Sequence, residues 1–206
     1  MTLPRDFYDR PTLDVARDLL GSVLVHRRRG VVTSGLIVEV EAYIGESDPA
    51  CHAARGRTRR SAPLYGPPGF SYVYLNYGIH NLVNAVTEPE HHPAAVLIRA
   101  LAPLGGMATM RRRRMRELKG RRGASPEQLP DASLCRGPGN LTMAMGITLE
   151  ENQLDLTGPR LFVEAGGMPV SEIEWGPRIG IRAGTERPWR AWIAGHPAVS
   201  AHQRSG

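Results

Sequence analysis

Two carboxylates and a phenol alternate along one predicted strand, and their types suit acid–base chemistry. The stretch Ile37-Val-Glu-Val-Glu-Ala-Tyr43 alternates apolar and polar residues. Because successive side chains of a strand point to opposite faces, Glu39, Glu41 and Tyr43 share one face. A carboxylate there can take a proton from water or stabilise a positive charge. Spacing alone also fits ordinary surface charges, so it leaves both interpretations open.

A second alternating stretch, Phe70 to Gly78, places Tyr72, Tyr74 and Asn76 on one face and ends with Tyr77 before a glycine turn. Such tyrosines are common in sheets, but their rings can also stack on a planar ligand. Between the two stretches runs a long basic loop, residues 45–69. This loop carries His52 and four arginines, Arg55, Arg57, Arg59 and Arg60.

Positive charge in this chain comes almost entirely from arginine. The 206 residues carry a formal net charge of +6, and Lys119 is the one lysine. Arginine binds phosphate in a bidentate manner, so the charge favours a polyanionic partner. Codon usage in a GC-rich genome would enrich arginine as well, and charge alone does not decide between these explanations.

The elements that must position these residues are mainly strands. Turn residues and alternation predict strands at Ser22 to Arg28, Val31 to Tyr43, Phe70 to Tyr77, Leu82 to Val86 and Ala94 to Leu101, with more strands after residue 150. Arg99 interrupts the last of the named runs, which is otherwise apolar. A guanidinium in such a run needs a buried anionic partner, and Glu41 is the predicted one.

Three helices are predicted around these strands. Thr12 is expected to cap a helix that ends near Leu20, and the Gly137-Pro-Gly-Asn140 stretch opens another whose free amides could bind phosphate. Between them, Met107 to Leu118 has the period of a helix, with methionines facing inwards. The arginines around the outside are Arg111 to Arg114, Arg116, Arg121 and Arg122. The length and the absence of a linker predict one domain over residues 1–206.

Several classes of protein are disfavoured. Cys51 and Cys135 form neither a disulfide framework nor a zinc pattern, and the histidines show no pair at metal-ligand spacing, so no metal is expected. The N-terminus lacks a signal core, and no apolar run approaches the roughly 20 residues of a membrane span. We therefore expect a cytoplasmic protein, associated with the nucleoid if it is bacterial.

Several ordered blocks resemble the alkyladenine DNA glycosylase (3-methyladenine DNA glycosylase) family, over nearly the whole chain. The blocks are Ile37-Val-Glu-Val-Glu-Ala-Tyr43, Asp48-Pro-Ala-Cys-His52, Gly66-Pro-Pro-Gly69, Tyr72-Val-Tyr74, Tyr77-Gly78, Asn84, Leu97-Ile-Arg-Ala-Leu-Ala-Pro103 and Leu134-Cys-Arg-Gly-Pro-Gly139.

The resemblance implies an α+β single domain with a curved, mostly antiparallel sheet and flanking helices, similar to the C-terminal domain of methionyl-tRNA formyltransferases. It implies a monofunctional enzyme without cofactor or metal. Such an enzyme binds double-stranded DNA as a monomer, flips out a damaged purine and hydrolyses its N-glycosidic bond. The scarcity of lysine agrees with the absence of a Schiff-base lyase step.

The same resemblance implies roles for single residues. Glu41 matches the general base and Arg99 its partner in holding the attacking water. The positions that line the pocket for the extruded base are Tyr43, His52, Tyr74 and Asn84, and Asn84 screens against the 2-amino group of guanine. Tyr77 matches the side chain inserted into the vacated stack. The arginines of the basic loop are the expected phosphate contacts.

Three departures and two alternatives remain. The segment Ile79-His-Asn-Leu-Val83 diverges from the family pattern next to the pocket, which bears on the substrate range more than on the reaction. Cys51 stands where relatives tend to carry serine, and Asn140 where a basic residue is usual, which weakens one expected phosphate contact. A catalytically inactive nucleic-acid-binding module on the same fold is the main alternative. A metal-dependent nuclease or phosphatase would need more clustered carboxylates than Glu39, Glu41 and Asp48.

Overall fold

Strands dominate the described part of the chain, and the longest of them carries the two carboxylates. The computed structural model describes residues 1–118, 129–166, 170 and 172–200. The strands are β1 (Val23–Arg28), β2 (Val31–Ile44), β3 (Ser71–Asn76), β4 (His80–Val86), β5 (Ala94–Gly105), β6 (Leu161–Glu164), β7 (Ile173–Gly176) and β8 (Arg190–Ile193). The helices are α1 (Arg5–Tyr8), α2 (Thr12–Leu19), α3 (Met107–Leu118) and α4 (Pro138–Met145).

All eight strands belong to one sheet, in which β2 has three neighbours. The order is β3-β4-β5-β2-β1-β6, and β8 pairs with both β2 and β7. β5 lies along one edge of β2, while β1 flanks the first part of its other edge and β8 the second part. All described pairings between these strands are antiparallel. The prediction of an α+β domain with a curved, mostly antiparallel sheet is confirmed.

The pairing of β2 with β5 is irregular at the carboxylates. Ile37 pairs with Leu101, Glu39 with Ala100 and Val40 with Ile98, so the register shifts twice within four residues. Such an irregularity bends a strand and re-aims its side chains. Glu39 and Glu41 also lie opposite β8, and both are completely buried. The sheet therefore places two carboxylates at its centre rather than at its surface.

Helices α2 and α4 cover the apolar side of the sheet. Val15 and Leu19 of α2, and Leu141 and Met145 of α4, are completely buried in the same core as Ile98 of β5. Fully burying one such side chain contributes about 1.5–3 kcal/mol. The core thus fixes the strands that carry the polar residues.

The prediction that Thr12 caps α2 is wrong. Pro11 is the N-cap, and Thr12 is the first helical residue. Its hydroxyl lies 2.9 Å from the hydroxyl of Thr87, and it also donates to Glu88. The loop after β4 offers these acceptors close by, so Thr12 ties the helix to that loop instead.

Helix α3 has the predicted bounds, but its arginines do not all face outwards. Arg113 is half-buried and donates to the Ala144 carbonyl at 2.9 Å, at the C-terminal end of α4. Arg114 is buried and donates to the side chain of Asn140. The prediction of an outward-facing cluster is wrong for these two, because α4 supplies acceptors that hold them. Arg112 and Arg116 are exposed, as predicted, and Arg121 and Arg122 lie outside the described residues.

Candidate active site

A cleft of about 450 Å³ brings most of the predicted site residues together. Its lining includes Tyr43, His52, Tyr74, Tyr77, Arg99 and Ile179. The cleft opens between the strands and the segment 179–183 that precedes β8. Its size falls within the range of about 300–1,000 Å³ that is usual for ligand sites.

Glu41 lies directly behind the wall of this cleft. Arg99 Nη1 is 3.1 Å from its Oε1, and the backbone amide of Ile179 donates to the same oxygen at 2.7 Å. The hydroxyl of Tyr43 donates to Oε2 at 2.8 Å. Burial raises the pKa of Tyr43 well above its usual range and the charge of Glu41 adds to this rise, so the phenol keeps the proton that it donates. Each of these three described partners of Glu41 lines the cleft.

Glu39 has a different set of partners. It accepts hydrogen bonds from Arg99 Nε at 2.9 Å and from Arg190 Nη1 at 3.1 Å. The amide and the hydroxyl of Ser200 each donate to it at 2.7 Å. These four donors engage both of its oxygens, and of the residues that supply them only Arg99 also lines the cleft. Glu39 therefore acts as an anchor for the arginines and the C-terminal segment.

The guanidinium of Arg99 joins the two carboxylates, which confirms the predicted contact with Glu41 and adds one with Glu39. Burial opposes the charge on Arg99, but Glu41 and Glu39 outweigh it and raise the pKa above its usual value. Arg99 is thus a fixed cation.

Aromatic rings form the inner part of the cleft. The rings of His52 and Tyr74 lie 4.5 Å apart at 74°, and the Tyr72 hydroxyl lies 2.8 Å from His52 Nδ1. Burial lowers the pKa of His52 to about 4, and Arg60 contributes to this shift. The imidazole is therefore neutral at pH 7 and presents an uncharged surface.

Asn84 lies in a smaller cavity that adjoins the cleft. It lines that cavity together with Tyr43, His52 and Tyr74, which are shared with the cleft. Its Nδ2 donates to the carbonyl of Tyr72 across the β3–β4 pair at 2.9 Å. The four predicted pocket residues are therefore neighbours, and the amide of Asn84 is held in one orientation.

Tyr77 stands at the tip of the β3–β4 hairpin and is 83% exposed. Tyr77 and Gly78 both have positive φ, 48° and 70°, and the Ile79 amide donates to the Asn76 carbonyl at 3.0 Å. Positive φ at both central residues is typical of a type I′ turn, which suits a tight hairpin. The turn projects the ring away from the protein, next to the cleft.

The four arginines of the basic loop are exposed, and two of them lie over aromatic rings. Arg60 lies 5.1 Å from the centre of the Tyr74 ring, and Arg57 lies 5.8 Å from that of Tyr65. Short 3-10 turns at His52–Arg55 and Ala62–Tyr65 give the loop structure. Arg60 therefore lies beside the cleft, because Tyr74 is one of the residues that line it.

Arg178 is a buried residue that no pattern in the sequence marks. It forms a two-fold hydrogen-bonded pair with Asp48 at 2.6 and 2.8 Å, and both side chains are completely buried. The guanidinium also lies 4.7 Å from the centre of the Tyr43 ring and donates to the Ala42 carbonyl at 3.0 Å. Asp48 belonged to a recognised block, but nothing near Arg178 in the sequence marked it as its partner.

The described residues contain no group of three or more histidine, cysteine, aspartate or glutamate side chains that could hold a metal ion. Over the same residues, no helix has the length and apolar character needed to cross a membrane.

Comparison with known proteins gives one consistent family. Residues 6–197 match the model of the methylpurine-DNA glycosylase family. A protein of Burkholderia lata named "Putative 3-methyladenine DNA glycosylase" is 45% identical over 201 residues, which cover 96% of this chain and 90% of the relative. Proteins with the same name from Prosthecochloris aestuarii (44%; 95% and 89% covered) and Methanocella arvoryzae (46%; 96% and 95% covered) are also similar. The chain belongs to the methylpurine-DNA glycosylase family.

Proposed function

We propose that this protein removes 3-methyladenine and related damaged purines from double-stranded DNA by hydrolysing the N-glycosidic bond. The observation that carries the proposal is a buried carboxylate, Glu41, held by Arg99, Tyr43 and Ile179 at the wall of an aromatic cleft. The protein acts as a monomer of one domain and requires no cofactor.

Glu41 is the general base of the proposed reaction. Its Oε2 accepts one described hydrogen bond, from Tyr43, and a carboxylate oxygen can accept two. A water molecule bound there transfers a proton to Glu41 while its oxygen attacks C1′ of the sugar. The bond between C1′ and the base nitrogen breaks, and its electron pair leaves with the purine. The negative charge of Glu41 also stabilises the positive charge that develops on the sugar.

The aromatic walls select the base after it has been flipped out of the stack. Tyr43, His52 and Tyr74 contact its faces, and electron-poor alkylated purines stack well and leave readily. The Asn84 amide is fixed by the Tyr72 carbonyl and cannot swing aside. We propose that it excludes the 2-amino group of guanine in this way.

The proposed enzyme has no lyase step. A lyase of the Schiff-base type needs an amine near C1′. No lysine occurs among the described residues, and Lys119 lies outside them. The product is therefore an intact strand with an abasic site. Arg55, Arg57, Arg59 and Arg60 hold the phosphates around the lesion.

An excision assay tests this function directly. Duplexes that carry 3-methyladenine, 7-methylguanine, hypoxanthine or ethenoadenine are incubated with the protein, with and without EDTA, and abasic sites are then cleaved with alkali. We expect strand breaks only after alkali, at one or more of these lesions, and no effect of EDTA. Breaks without alkali would indicate a lyase or nuclease. Binding without any excision would support the inactive nucleic-acid-binding module instead.

Replacement of Tyr77 by alanine should weaken binding to lesion DNA and slow flipping while leaving the fold intact. The inserted ring fills the vacated stack and offsets a few kcal/mol of unstacking. The side chain is almost fully exposed, so its loss removes little packing. Affinity for a lesion duplex and single-turnover excision measure the effect. Unchanged values for both would rule out the wedge role.

A further inference from the structure

A second depression lies beside the hairpin, separate from the cleft. This groove of about 320 Å³ runs between the start of β4, helix α3 and helix α4. Residues that line it include Ile79, His80, Asn81, Arg113, Arg116 and Thr148. Among the described residues along its walls there is no aspartate or glutamate. Its polar groups are therefore suited to an anion.

Packing and hydrogen bonds hold several side chains of the groove in place. The ring of His80 packs closely on Gly139, because a Cβ atom added to Gly139 would lie 2.7 Å from the ring. This contact holds the start of α4 against the hairpin. Arg113 donates to the Ala144 carbonyl, and its guanidinium packs on Gly146 as closely as His80 packs on Gly139. Arg116, in contrast, is exposed and forms no ion pair with any described residue. It is free to bind a ligand from outside.

The position of the groove follows from the hairpin. Tyr77 lines the cleft, whereas Ile79, two residues further on and 71% exposed, lines the groove. A side chain that enters a duplex through one of its grooves has a sugar–phosphate backbone on each flank. The cleft is on the flank that receives the flipped nucleotide. Because Tyr77 and Ile79 line different depressions, the groove is the candidate contact for the other strand.

We propose that this groove binds the backbone of the undamaged strand, with Arg116 as its main phosphate contact. The proposal rests on the proposed function, because it takes Tyr77 as the side chain that enters the duplex. Arg113 and His80 line the same groove, and Ile79 packs against the sugars. Contacts of this kind position a duplex without reading its sequence.

A strand-specific test uses a duplex with a tetrahydrofuran abasic analogue and, in separate duplexes, one methylphosphonate at each position of the undamaged strand. Each phosphate contact contributes about 0.9 to the slope of log K against log salt. Arg116→Gln and one particular methylphosphonate should each lower the slope by about this amount. In combination they should lower it no further, because both remove the same contact.

Arg57→Gln is the matched control, since it removes an exposed arginine of the basic loop. The decrease in salt slope caused by Arg57→Gln should add to the decrease caused by each methylphosphonate on the undamaged strand, because the two remove different contacts. The proposal would be overturned if Arg116→Gln left the salt slope unchanged, or if its effect added to that of the methylphosphonate at every position of the undamaged strand. The analogue carries no base to excise, so an inactive wild-type protein would contradict the proposed function without obscuring this result.

Discussion

Replacing Glu41 with glutamine should lower the single-turnover rate of base excision by about two to four orders of magnitude. Glutamine keeps the shape of the side chain and an oxygen for Arg99, but it cannot take a proton from water. The aromatic cleft and the exposed arginines are unchanged, so affinity for lesion DNA should persist. A time course quenched with alkali measures the rate, and titration of the same duplex measures binding.

Glu39→Gln is the matched control, because Glu39 sits two residues away and contacts the same arginine. Four donors occupy Glu39, so this variant should lose stability rather than rate. Breaking a buried ion pair costs about 3–5 kcal/mol. Urea unfolding should show that loss, while excision by the folded protein stays within about tenfold of wild type. Loss of excision in Glu39→Gln with normal affinity, and retention in Glu41→Gln, would reverse the assignment.

Arg178→Leu should lower the free energy of unfolding by about 3–5 kcal/mol, because it leaves the buried Asp48 with only the more distant Arg187, at 3.8 Å, as a described cationic partner. The geometry favours a value in this range, since the pair has two hydrogen bonds and both side chains are completely buried. Denaturant unfolding with a constant m-value would measure it. A loss below about 1 kcal/mol, as for a surface pair, would contradict the buried ion pair.

The double variant Asp48→Asn, Arg178→Leu separates charge from packing. If the uncompensated carboxylate causes the loss, the double variant should be more stable than Arg178→Leu alone. Its excision rate is informative as well. Arg178 packs on Tyr43 and precedes Ile179, whose amide holds Glu41, so a slower rate in a stable double variant would show that the pair positions the site.

Local pattern was enough to predict the strands that carry the site. Alternation placed Glu39, Glu41 and Tyr43 on one face, and an arginine in an apolar run needed an anion. Arg99 forms an ion pair with Glu41, because a buried charge needs a partner and the neighbouring strand supplies one within a few ångströms. The family resemblance, not the spacing, ranked Glu41 above Glu39.

Contacts between distant parts of the chain leave no local pattern in the sequence. Arg190 and Ser200 reach Glu39 across more than 150 positions, and no local pattern marks them. The arginines of α3 show the same limit. The helical period predicts on which side of α3 a residue lies. Whether Arg114 contacts solvent or Asn140 depends on the position of α4.

The bonds between Ser200 and Glu39 also bear on how the protein is made. They join residues 161 positions apart, and β8 reaches β2 from a similar distance. A nascent chain emerging from the ribosome can form the β1–β2 hairpin early, but it cannot complete the surroundings of the carboxylates until the last fifth of the sequence has been synthesised. Folds dominated by such non-local pairings form slowly. A translation product that ends before β8 should therefore lack the partners that Arg190 and Ser200 supply to Glu39.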